Sequence, residues 1–125
     1  MTGRSLLLLA VACAPAFVSG LVPVADAHAF LDRALPAVGS AVRAPPPQLR
    51  IWFTQRLEPA FSKVQVLDSS GKRVDKGDSR VDSADTTLLT VSLPRLSPGT
   101  YRVAWRVLSV DTHVTEGDHT FEVLP

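Results

Sequence analysis

The sequence predicts an all-β domain, a Greek-key sandwich or barrel built from short strands. Two observations carry that prediction. Apolar residues recur with period 2 in several runs, the signature of strands with one buried face. Turn-forming residues punctuate those runs, and no segment sustains an apolar period of 3.6.

In chain order, Leu49, Ile51 and Phe53 alternate with Arg50, Trp52 and Thr54, after Pro45-Pro46-Pro47 stiffens the approach. Val64 and Val66 alternate with Lys63 and Gln65, and Ser69-Ser70-Gly71 follows as a hairpin turn would. The polar stretch Asp75 to Asp85 predicts a solvated loop or edge. Thr87 to Val91 is a β-branched run, and Ser97-Pro98-Gly99 is a turn. The clearest strand comes next, with Tyr101, Val103, Trp105 and Val107 on one face and Arg102, Ala104 and Arg106 on the other. His119, Phe121 and Val123 complete the set. Trp105, Phe121, Phe53 and the valines are the expected core, and the aromatic residues in general are expected to be committed mostly to it. A length of 125 residues suits one domain, and no internal repeat is visible. Thirteen Lys and Arg against twelve Asp and Glu leave no excess charge to grip a phosphate backbone, so nucleic acid is excluded as a partner.

Residues 1–27 read as a Sec-type signal peptide. Arg4 precedes an apolar stretch from Leu6 to about Val24, which Pro15, Gly20 and Pro23 interrupt as they would not in a spanning helix. Ala25-Asp26-Ala27 has the A-x-A form of a cleavage site, and no twin arginine points to the other export route. A lipid on Cys13 is the rival reading, but Ala10 stands where such a site usually has Leu. Cleavage after Ala27 leaves residues 28–125, a domain without sulfur, not membrane-inserted, beginning at His28.

A histidine at a chain start offers one metal ion two nitrogens, its α-amine and Nδ1, in a six-membered chelate ring. The free amine has a pKa of about 7.7–8.0, so a strong Lewis acid can displace its proton near neutral pH. Within Ser109-Val110-Asp111-Thr112-His113, an extended backbone would point Asp111 and His113 to the same side. Together these residues offer three nitrogens and one oxygen, a tetragonal set that suits Cu(II), although zinc could use the same atoms. On the bland alternative, His28 follows the A-x-A by chance and Asp111 and His113 build a turn. His119 shares the parity of Phe121 and Val123 and is expected to be a core or half-buried residue.

From His28 onward the chain resembles the CopC family of periplasmic copper-resistance proteins. The resemblance rests on His28-Ala29 with Leu31 and Pro36, and on Leu49-Arg50 before Phe53. It continues through Pro98-Gly99-Thr100-Tyr101, Val103, Trp105, Ser109-Val110-Asp111-Thr112-His113, Gly117 and Phe121. It implies a cupredoxin-like or immunoglobulin-like β-sandwich. It also implies a histidine brace for one Cu(II), with His28 binding through amine and Nδ1, His113 through imidazole and Asp111 through carboxylate. Phe30 stands where many members have a second histidine. Phe53-Thr54-Gln55 replaces the frequent Phe-Ser-Glu, putting a neutral amide where an acidic residue would lie near the copper. The methionines of a Cu(I) site are absent.

The expected function is therefore a periplasmic Cu(II)-binding protein, not an enzyme, which buffers copper or delivers it to an inner-membrane CopD-like transporter. With four equatorial donors no place is left open for a substrate, whereas catalytic metals usually keep one. One competing class is a copper-dependent oxidative, monooxygenase-like enzyme, since such enzymes also use a terminal-histidine brace. The other is a metal-free exported immunoglobulin-like interaction module.

Overall fold

A computed structural model describes residues 29–125, together with the isolated Gly3. The predicted leader and His28 therefore lie outside the described residues. Eight strands follow in chain order: β1 (Leu31–Leu35), β2 (Ala41–Val42), β3 (Gln48–Phe53), β4 (Lys63–Leu67), β5 (Arg80–Val81), β6 (Leu88–Ser92), β7 (Gly99–Leu108) and β8 (Val114–Val123). One turn of 3-10 helix at Pro59–Phe61 joins β3 to β4. No helix among the described residues is long and apolar enough to cross a membrane.

The strands form two four-stranded sheets, ordered β1-β3-β6-β5 and β2-β8-β7-β4. Only β5–β6 and β7–β8 are both consecutive and paired; every other connection crosses between the sheets. All pairs are antiparallel except β2 with β8. This is the sandwich that the alternation predicts. Its interior is filled by Leu49, Ile51, Phe53, Val64, Val66, Leu89, Val91, Tyr101, Val103, Val107, Phe121 and Val123. Each large apolar side chain removed from water there contributes roughly 1.5–3 kcal/mol.

Three ring arrangements order this core. Phe53 meets Trp105 edge to face at 5.1 Å between centroids, tying the end of β3 to the opposite sheet. Tyr101 stacks on Phe121 at 5.6 Å, and its hydroxyl donates to the Ser97 carbonyl at 2.6 Å. Gly117, opposite Trp105 in the β7–β8 register, lies directly beneath the indole. A Cβ at residue 117 would fall 2.3 Å from Trp105 Cζ2, so only glycine fits.

Several expectations need correction. The aromatic residues are less committed to the core than expected: Phe30 and Phe61 are 48% and 65% exposed. Trp52 lies on the outer face, half-buried, with the Arg33 and Arg50 guanidinium groups 3.9 and 5.0 Å from its ring centroid. The Ser69-Ser70-Gly71 turn exists, organised by Asp68 Oδ1, which accepts from the Ser70 and Lys72 amides. It does not lead into a second regular strand. The returning segment satisfies the β4 edge with an isolated bridge, in which the Val74 amide donates to the Val66 carbonyl at 2.8 Å, and then with side chains: Asp75 Oδ2 accepts from the Val66 amide at 2.8 Å and Ser79 Oγ from the Val64 amide at 2.9 Å. The polar stretch 75–85, by contrast, is an edge as expected, since it contains the edge strand β5.

Candidate metal centre

The long hairpin β7–β8 closes with the pair Leu108–Val114, which leaves Ser109 to His113 as a five-residue tip. The tip is not extended. The Ser109 amide donates to the His113 carbonyl at 3.0 Å and the Thr112 amide to the Ser109 carbonyl at 2.9 Å. Thr112 sits at φ 74°, a left-handed conformation uncommon for a β-branched residue. The strand geometry expected to align Asp111 with His113 is thus replaced by a turn, because three tip residues bond within the tip rather than across a ladder. The turn achieves the same convergence: His113 Nδ1 lies 3.3 Å from Asp111 Oδ1. Two donors bound at right angles to one ion, each about 2.0 Å from it, are about 2.8 Å apart. The pair therefore fits a shared cation after a small closure.

Ser109 holds the carboxylate. It is fully buried, and its hydroxyl donates to Asp111 Oδ1. That hydrogen bond, seconded by His113, keeps the Asp111 carboxyl below its ordinary value of 3.8. Asp111 is consequently anionic at neutral and mildly acid pH, as a metal ligand must be. Both side chains remain accessible, His113 at 48% and Asp111 at 38%.

The start of the domain is fastened beside this tip. Ala29 is fully buried, and its carbonyl accepts from Thr115 Oγ1 at 2.8 Å. Thr115 is two residues past His113 on β8. Phe30 donates its amide to Thr54 Oγ1 at 3.0 Å and accepts from the Thr54 amide at 2.8 Å. The residues that follow His28 are thus held between the end of β3 and the start of β8. Among the described residues no three His, Cys, Asp or Glu side chains cluster, so Asp111 and His113 are a pair that needs a further donor.

His119 is separate. It is half-buried, as its parity predicts, and both ring nitrogens are buried with no hydrogen-bond partner among the described residues. Burial pushes its pKa below 6.5, with Asp118 acting weakly in the other direction. It lies six residue steps beyond His113, about 20 Å at about 3.3 Å per residue, too far to share an ion. Sequence reasoning assigned no role to Ser109, Thr54 or Thr115. Ser109 and Thr54 stood within the motifs that carry the family resemblance, and Thr115 carried no signal beyond its hydroxyl two residues past His113.

The CopC domain model matches residues 31–124. The chain belongs to the CopC family. Protein YobA of Escherichia coli K12 is 34% identical over 104 residues, covering 82% of this chain and 84% of YobA. The crystal structure of CopC from Methylosinus trichosporium OB3b is 39% identical and superposes with a TM-score of 0.70, covering 78% of this chain and 95% of that one. PcoC from Escherichia coli, described as a methionine-rich copper resistance protein, is 33% identical with a TM-score of 0.69, over 78% and 99% of the two chains. Here the CopC domain departs from PcoC in composition, since Met1 is the sole methionine of the sequence.

Proposed function

We propose that this CopC-family chain is a periplasmic copper-binding protein that holds one Cu(II). The observation that carries this reading is the convergence of Asp111 and His113 at 3.3 Å beside the point where Ala29 and Phe30 enter the fold. Removal of residues 1–27 would leave His28 as the first residue, one peptide bond from Ala29. Its amine and Nδ1 would then join His113 Nδ1 and the Asp111 carboxylate in a histidine brace. Three nitrogens and an anionic oxygen favour the oxidised ion, and the domain 28–125 contains neither thiolate nor thioether to favour Cu(I).

The proposed role is capture, buffering and delivery to a membrane partner rather than catalysis, because the four donors fill the equatorial positions. The copper-resistance description of PcoC supports copper as the cargo.

The test is a Cu(II) competition titration on protein beginning at His28, compared with protein carrying one extra residue before it. Acylating the amine removes one nitrogen and the chelate ring, so the extended protein should bind more weakly by orders of magnitude. Equal affinities would exclude the brace. Multiple-turnover, ascorbate-driven oxidation by the copper-loaded protein would favour the oxidative enzyme instead.

A further inference from the structure

We propose that Thr115 and Thr54 are positioning residues for the metal centre, fixing Ala29 and Phe30 so that the chain start is poised against the Asp111–His113 tip before any ion arrives. The inference rests on the brace reading, and it concerns residues that touch neither the ion nor its donors.

Two hydroxyls grip two successive residues. Thr115 Oγ1 donates to the Ala29 carbonyl at 2.8 Å, and Thr54 Oγ1 accepts from the Phe30 amide at 3.0 Å. Thr54 closes a reciprocal pair, because its own amide donates to the Phe30 carbonyl at 2.8 Å. Ala29 is wholly buried, so its carbonyl would otherwise lose a hydrogen bond that water cannot easily restore. Thr115 also belongs to the strand that begins one residue after His113. One side-chain hydrogen bond therefore couples the N-terminal segment directly to the ligand-bearing hairpin.

The energetic consequence is preorganisation. A chain start is ordinarily the least ordered part of a domain unless it is tied down. If the binding-competent arrangement is only partly populated, apparent affinity falls by that fraction. Losing both grips should therefore weaken Cu(II) binding about tenfold.

The experiment is a double-mutant cycle on protein beginning at His28. Thr115→Val, Thr54→Val and their combination remove the hydroxyls at nearly constant shape, and Thr115→Ser and Thr54→Ser restore them. Cu(II) affinity is measured for each, with and without an extra residue before His28. The expected result is about tenfold weaker binding in the double valine variant, near-wild-type binding in the serine variants, and less than twofold effect of the valines once the extra residue is present. A merely structural role would weaken both backgrounds equally, and that result overturns the proposal. Valine variants that bind like wild type also overturn it while leaving the brace intact, provided wild type still loses affinity on extension. Should wild type be indifferent to the extension, the brace and the positioning role fall together. Where Thr115→Val is unstable, Thr54→Val alone gives the same comparison.

Discussion

The body and the tip of the β7–β8 hairpin are built on different principles. The body runs through ten register pairs, from Gly99–Val123 to Leu108–Val114, and its inward residues Tyr101, Val103, Val107, Phe121 and Val123 are buried. Non-directional apolar burial fixes it, and many apolar residues could fill the same volume. The tip, Ser109 to His113, has no apolar alternation. Its shape comes from directional bonds: the Ser109 hydroxyl to Asp111, and the Ser109 and Thr112 amides to carbonyls within the tip. The difference separates stability from function within one hairpin in kind, not only in place: the body resists unfolding, and the tip presents donors.

The sharpest way to break that comparison is to damage each part in turn. Phe121→Ala should cost about 3–5 kcal/mol in chemical denaturation, since it removes a fully buried ring stacked on Tyr101. His113→Ala should leave stability within about 0.5 kcal/mol, because the side chain is half exposed. It should nevertheless weaken Cu(II) binding by more than about a hundredfold, since even residues that only support metal ligands cost 10–100-fold. His119→Ala should change copper affinity far less. Equal losses from the two histidine variants would show that the separation is false.

Gly117→Ala is the next strongest test. The added Cβ meets the Trp105 ring inside van der Waals distance, so the variant should lose about 1–3 kcal/mol and shift the indole fluorescence. Copper affinity should hold, because the tip is untouched.

These expectations also show what was legible in the sequence. The alternation in Leu49–Phe53, Val64–Val66 and Tyr101–Val107 was readable because each of these strands buries one face against the opposite sheet. β2 and β5 have two residues each, too few for a period. β1 was hidden for another reason: a register shift between Leu31 and Arg33 disrupts its alternation at the edge of the sheet. At the site, Asp111 and His113 were readable as residue types with metal chemistry. Their conformation was not, because the turn depends on the Thr112 backbone and the buried Ser109 hydroxyl. Thr54 and Thr115 were invisible for a related reason: a hydroxyl that grips the backbone of residues far away in sequence leaves no local pattern.

The smallest effect concerns pH. His119 titrates below 6.5 in the fold because burial disfavours its charged form. Between that lowered value and 6.5 the unfolded chain binds more protons than the folded one. Stability is therefore complete above pH 6.5 and declines as the pH falls toward the folded value. His119→Gln should remove that part of the acid slope in denaturation measured from pH 7 to pH 4. An unchanged slope would show that other groups produce it.

The most direct test of the central claim is electron paramagnetic resonance of protein beginning at His28, loaded with one equivalent of Cu(II). The account predicts a tetragonal centre with couplings to three nitrogens, one of which disappears when a single residue is added before His28. A spectrum of oxygen donors alone, or one that the added residue leaves unchanged, would contradict it.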